Sequence, residues 1–201
     1  MNHEQALRIV LIAIFLVVFP NSLYYRLKSQ ATREKLDRTK EGVLILATLR
    51  PVGTAFMLAT IFYMVDPARM AWSSMPLPAW VRWIGVGADA LAAALLIWTM
   101  RRLGKNLTDT VVTRREHTLV TTGPYHWVRH PFYDALALFV VGNALITANG
   151  FILAAGGLLL VLIVARTRRE EEHLVARFGD AYREYMQRTG RFLPGIRAHR
   201  A

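Results

Sequence analysis

The sequence predicts an all-α integral membrane protein with five transmembrane helices. Two observations carry that prediction. The 201 residues are 54% hydrophobic, and the mean hydropathy is +0.28. The apolar residues are bunched into five blocks, with the basic residues gathered between them on alternate sides. A soluble domain spreads its apolar residues at helical or strand spacing, whereas a bilayer demands continuous apolar runs.

The blocks lie at about 9–25, 43–65, 80–100, 131–147 and 150–165. A full crossing takes about 20 residues, so the first three are long enough and the last two are short. Only Ala148 and Asn149 separate the last two, which predicts a tight helical hairpin. Pro20 lies inside the first block and predicts a kink there. No small-x-small cleavage site follows residues 9–19, so this block reads as a retained anchor. Asp89 sits in the middle of the third block. An intramembrane carboxylate needs a partner, and Arg50 is one candidate.

Charge sets the orientation. The first connection holds Arg26, Lys28, Arg33, Lys35, Arg38 and Lys40. The third holds Arg101, Arg102, Lys105, Arg114, Arg115 and Arg129, and the tail opens with Arg166, Arg168 and Arg169. The second connection has only Arg69 and Arg82, and the hairpin tip has no charge. The positive-inside rule then places the N-terminus outside and the C-terminus in the cytosol. The formal charge of +11 is thus assigned to anionic headgroups and topology, and nucleic acid is not expected as a partner. With no cysteine, disulfides, thiol nucleophiles and zinc–thiolate sites are excluded. No metal site is expected. The chain divides into a three-span region, 1–100, and a second region, 101–201. The second comprises a long cytosolic loop, the hairpin and a C-terminal amphipathic helix over 167–189. In that helix Leu174, Phe178, Tyr182 and Tyr185 recur at spacings of four, four and three.

The chemistry concentrates at the cytosolic ends of the hairpin. Gly123-Pro124 predicts a turn, and Pro131 suits the first turn of a helix. The free N–H groups of that turn favour an anion. Arg129 adds a planar carboxylate binder, His130 a further donor, and Tyr125, Trp127 and Tyr133 aromatic faces. Glu170, Glu171 and Glu172 follow the fifth block. The hairpin returns residue 170 to the side of residue 130, so Arg129 and His130 are expected near the glutamates. A zwitterion with an α-carboxylate and an α-amine fits between them. Each feature also has a plainer reading: interface anchors, an aromatic belt, or a solvated helix start with Glu170–Glu172 paired to Arg166 or Arg169.

Two ordered blocks resemble a known family. They are Leu119-Val120-Thr121-Thr122-Gly123-Pro124-Tyr125 with Val128-Arg129-His130-Pro131 and Tyr133, and then Glu170-Glu171, Leu174, Phe178-Gly179, Tyr182, Tyr185 and Arg191-Phe192-Leu193-Pro194. Together they resemble the isoprenylcysteine carboxyl methyltransferases, which are similar to phospholipid N-methyltransferases. The resemblance implies an S-adenosyl-L-methionine-dependent methyltransferase acting on a lipidic or prenylated acceptor, among membrane lipids. It implies cofactor contacts at His117, Leu119, Val120, Gly123, Tyr125, Val128, Arg129, His130, Pro131, Tyr133, Glu170 and Glu171. Arg129, Tyr133 and Asp134 would act in catalysis, and Asn106 and Trp127 would meet the acceptor. The family follows its motif tyrosine with x-Gly, whereas Tyr133 is followed here by Asp134-Ala135. Asp134 would repel a carboxylate acceptor and tolerate an amine or a thiol. Alternative readings are therefore a phospholipid N- or small-thiol S-methyltransferase, a nicotinamide-dependent membrane reductase, and a non-catalytic protein of the same fold.

Overall fold

A computed structural model describes residues 2–30, 43–104 and 118–195. The described residues form helices joined by turns and short irregular stretches, with two isolated bridges and no strand. The helices are α1 (His3–Gln30), α2 (Val43–Val65), α3 (Ala79–Leu103), α4 (Pro131–Thr147), α5 (Gly150–Phe178) and α6 (Asp180–Arg188). Short 3₁₀ helices fill Pro67–Ser73 and Gly123–His126. Four helices are long and apolar enough to cross a membrane: α1, α2, α3 and α5. The chain is a multi-pass integral membrane protein. At 17 residues α4 is apolar but shorter.

The expected separate helix over 167–189 is not what forms. α5 runs without a break from the apolar stretch into the charged one and ends only at Gly179, whose φ is 56°. α6 restarts at Asp180. A single glycine in the left-handed region terminates a helix readily, so the sequence period continues while the axis turns. The periodic face packs inward: Tyr182 and Tyr185 are 2% and 4% exposed.

α4 and α5 form the expected hairpin. Ala148 adopts a left-handed conformation, φ 47°, and Asn149 caps α5 by accepting from the Ile152 N–H at 3.1 Å. Asn149 also donates to the Met70 carbonyl at 2.8 Å, which moors the hairpin tip to the 3₁₀ helix.

Small residues let α3 and α4 approach closely. A Cβ added at Gly85 would lie 2.7 Å from Leu145 Cβ and 2.8 Å from the Gly142 carbonyl oxygen. One added at Gly142 would overlap the Asp89 carboxyl. Without water to drive apolar association, such contact packing is what holds helices together in a bilayer. Asp89 is fully buried and accepts from Asn143 Nδ2 at 3.0 Å. Its partner is thus Asn143 of α4, whereas Arg50 is an exposed residue of α2.

The opposite end from residues 129–133 is closed by Arg82, which is 8% exposed. Its Nε and Nη2 donate to the Ile146 carbonyl at 2.9 and 2.8 Å, and Nη2 donates to the Tyr63 hydroxyl at 3.0 Å. It also forms a two-pronged ion pair with Glu4. One guanidinium therefore joins α1, α2, α3 and α4. Arg82→Ala would orphan a buried carbonyl and a buried hydroxyl, and is expected to cost about 2–3 kcal/mol. Glu4→Gln, at a mostly exposed carboxylate, is expected to cost less than about 1 kcal/mol. Thermal unfolding in detergent micelles checks both, and a larger loss for Glu4→Gln would refute this ranking.

Candidate functional site

The site forms where α4 begins and the apolar part of α5 ends. Gly123 has φ 65°, a value that suits glycine, and a Cβ there would also press on the Arg102 side chain at 2.9 Å. It starts the turn Gly123–His126, which delivers Val128, Arg129 and His130 to α4. Pro131 takes the first helical position, and the His130 carbonyl accepts from the Tyr133 and Asp134 N–H groups at 2.9 and 3.2 Å.

Glu171 is the centre. It is 4% exposed and has three cationic or imidazole neighbours. Arg129 Nε donates to Oε1 at 2.8 Å, His130 Nε2 lies 3.3 Å from the same oxygen, and Arg191 Nη2 donates to Oε2. A buried carboxylate without such partners would be costly. One residue earlier, Glu170 Oε2 accepts from the Tyr133 hydroxyl at 2.6 Å. The His130 ring stacks on Tyr133 at 5.4 Å, with 3° between the planes, and Phe192 lies 5.9 Å from the same imidazole.

A strap after α6 closes over this cluster. The Arg129 N–H donates to the Gly190 carbonyl at 2.8 Å, and the His130 N–H to the Arg191 carbonyl at 3.1 Å. Arg129 Nη1 donates to the Met186 carbonyl at 3.2 Å and to that of Thr189. Tyr185 donates from its hydroxyl to the Tyr125 carbonyl at 2.5 Å. Burial pushes the Tyr185 phenol above its ordinary range, and the nearby Arg129 charge offsets only part of this. The hydroxyl therefore keeps its proton and remains a donor.

The structure thus brings together Tyr125, Val128, Arg129, His130, Pro131, Tyr133, Glu170 and Glu171. Leu119 and Val120 are half-buried in the segment leading into the Gly123 turn. Asp134 is half-buried on the first turn of α4. Trp127 is 52% exposed and turns to Trp98 of α3 at 5.5 Å. His117 and Asn106 lie outside the described residues. No group of three or more His, Cys, Asp or Glu capable of holding a metal occurs among the described residues.

Arg166 and Arg191 belong to the site without having been singled out as site residues from the sequence. Arg166 is 7% exposed and lies within electrostatic reach of the Tyr133 phenol. Its spacing of four from Glu170, which puts both on one helix face, was the available signal. Arg191 had no local signal, because it arrives through the turn at Gly179 and the strap.

The arrangement is a cluster of opposite charges, buried at Arg129, His130 and Glu171 and reached by the more exposed Arg191. Such a set suits a ligand with both an anionic and a cationic group.

Comparison with known proteins relates the chain to a family of membrane enzymes. Residues 85–176 match the model of the isoprenylcysteine carboxyl methyltransferase (ICMT) family. The nickel-cobalt-cadmium resistance protein NccN of Alcaligenes xylosoxydans xylosoxydans is 31% identical over 117 residues, covering 58% of this chain and 55% of its own. The protein-S-isoprenylcysteine O-methyltransferase of Dictyostelium discoideum is 29% identical over 117 residues, 57% of this chain and 49% of its own. The chain spans about half the length of these curated relatives. A solved structure, the eukaryotic intramembrane Ras methyltransferase ICMT, aligns with a TM-score of 0.51 and 22% identity over 93% of this chain and 68% of that one. The likeness is one of fold. Through residues 85–176 the chain carries the sequence pattern of the isoprenylcysteine carboxyl methyltransferase family, the family that its motifs resemble, on the same membrane fold.

Proposed function

We propose that the protein is an S-adenosyl-L-methionine-dependent methyltransferase, similar to the isoprenylcysteine carboxyl O-methyltransferases. It acts on a lipidic or prenylated acceptor at the cytosolic membrane face. The observation that carries this reading is the convergence of Arg129, His130 and Arg191 on Glu171, inside and beside the segment that matches the family. The charge pattern supports five crossings, with the shorter α4 added to the four long helices, the N-terminus outside and the site in the cytosol.

The donor set fits the cofactor. Glu170 and Glu171 supply acceptors for an amine or ribose hydroxyls. Arg129 and His130 hold the amino-acid end, and His117, Leu119 and Val120 border the adenosine. Gly123, Tyr125, Val128, Pro131 and Tyr133 shape the pocket wall. The cofactor, when bound, supplies a methyl group activated on a sulfonium. Tyr133 and the aromatic faces would hold that cation, at about 0.5–2 kcal/mol each, and α4 and the strap would exclude water. The cofactor's thioether would leave neutral, so no residue of the chain would be needed to protonate a leaving group. A carboxylate acceptor needs no base, and alignment and desolvation then provide the rate. With an amine or thiol acceptor, Asp134 or His126 would accept the proton. Asn106 and Trp127 flank the acceptor's approach.

Isothermal titration of the purified protein in lipid nanodiscs with S-adenosylhomocysteine is expected to show saturable one-site binding. Transfer of labelled methyl to a farnesylcysteine analogue, to phosphatidylethanolamine and to a small thiol then ranks the acceptors. A folded protein that does not bind S-adenosylhomocysteine would refute the reading.

A further inference from the structure

Arg101 and Arg102 end α3, and the cluster around Glu171 makes no use of them. They follow Trp98 at spacings of three and four, which puts all three on one face of the last turns of the helix. Both arginine side chains are exposed, and no carboxylate among the described residues pairs with either. The turn Gly123–His126 packs against this end of α3. A Cβ added at Gly123 would lie 2.9 Å from Arg102 Cγ and 3.2 Å from its Cδ, so the Arg102 stem runs across the glycine. Trp127 meets Trp98 edge-on at 5.5 Å, and His126 meets Trp127 at 6.3 Å. Trp98 and Trp127 remain 37% and 52% exposed even so.

Exposed indole beneath two adjacent cations matches a phospholipid, with its chains below and its anion above. Indole rings settle at the boundary between chains and headgroups, and a guanidinium binds a phosphate through two parallel hydrogen bonds. We infer that this end of α3 is a binding site for a phospholipid whose headgroup is net negative. Its phosphate takes Arg101 and Arg102, and an acyl chain lies along Trp98. A zwitterionic phospholipid carries an ammonium beside its phosphate, which the same two cations repel, so the site selects by headgroup charge. Because the Arg102 stem rests on Gly123, the bound lipid also braces the turn that leads to Arg129 and His130. The site lies outside the Glu171 cluster and is independent of the methyltransferase reading.

The test is native mass spectrometry of the full chain released from nanodiscs of equimolar phosphatidylglycerol and phosphatidylcholine. The parent is expected to retain phosphatidylglycerol at least about tenfold over phosphatidylcholine, the scale of two basic side chains at an anionic surface. Arg101→Gln with Arg102→Gln should lose most of that preference. Arg101→Lys with Arg102→Lys, which keeps the charges without the forks, should retain part of it. Lys28→Gln with Arg168→Gln removes two exposed cations elsewhere and should leave the preference as in the parent. Amide exchange at Tyr125–Trp127 should slow when phosphatidylglycerol is added to phosphatidylcholine nanodiscs, in the parent and not in the double glutamine variant. Equal retention of the two lipids by the parent overturns the inference. So does a double glutamine variant that keeps the preference, or an equal loss in Lys28→Gln with Arg168→Gln, which makes the effect one of net charge. Exchange that is the same in both lipids overturns the bracing of the turn. Should the glutamine pair fail to fold, Arg101→Gln alone, at an exposed side chain, must lower the preference, and an unchanged preference there overturns the inference.

Discussion

Replacing Glu171 with alanine is expected to abolish S-adenosylhomocysteine binding and to destabilise the protein by about 3–5 kcal/mol. The size follows from what would be left behind. Arg129 and His130 are buried against this carboxylate, and Arg191 reaches it from the surface. Deleting the one anion leaves a buried guanidinium with two backbone carbonyls as its remaining acceptors and a buried imidazole that has lost the carboxylate beside it. Glu171→Gln separates the two effects. The amide keeps the volume and one acceptor, so stability should fall by only about 1–3 kcal/mol. Cofactor affinity should still fall at least about tenfold, since a neutral amide attracts no ammonium. Chemical denaturation and titration on the same preparations check both numbers. Full affinity in a folded Glu171→Gln would remove this residue from the binding site.

The second large effect lies in the packing of α3 against α4, away from the Glu171 cluster. Gly142→Ala places a methyl on the Asp89 carboxyl. Because Gly85 and Gly142 set how near α3 and α4 can come, the helices must separate to admit it. A loss of about 3 kcal/mol is expected for alanine, at the upper end for overpacking. Gly142→Leu is expected to yield no folded monomer. The companion change locates the cause: Asp89→Ala removes the carboxyl, so the double variant Gly142→Ala with Asp89→Ala should recover part of the alanine loss, the contact with the Asp89 backbone nitrogen at 2.9 Å remaining. Such non-additivity is what contacting residues show. The measurement is thermal stability of the four proteins by size-exclusion elution. Purely additive losses would place the strain elsewhere.

Legibility in the sequence followed the range of the forces involved. The apolar blocks and the hairpin were readable because a bilayer imposes length and continuity on each segment independently. α4 falls at 131–147 and α5 begins at Gly150, as the hydropathy and the Ala148-Asn149 break require. The meeting of Arg129 and His130 with Glu170 and Glu171 was readable because a two-residue hairpin turn leaves no other place for residue 170. What could not be read were events that depend on a third element. Asp89 was legible as a carboxylate needing a partner, but Asn143 faces it only because Gly85 and Gly142 fix how α3 lies on α4. The unbroken α5 was hidden because charge signalled a boundary, whereas the backbone responds to Gly179. Arg191 joined the site through a strap whose path no periodicity encodes.

That strap also has a consequence in time. Arg129 and the Thr189 carbonyl it binds are 60 positions apart. At a synthesis rate of about 5–20 residues per second, Arg129 is made roughly 3–12 s before its acceptors. Through that interval α4 and α5 can insert and pair, but the guanidinium has no backbone to grip. The order of synthesis therefore makes the membrane hairpin first and the pocket last. A chain stalled before Thr189 would have its helical hairpin but not the strap bonds to Arg129 and His130, so insertion and completion of the charged cluster are separate events in the life of this protein.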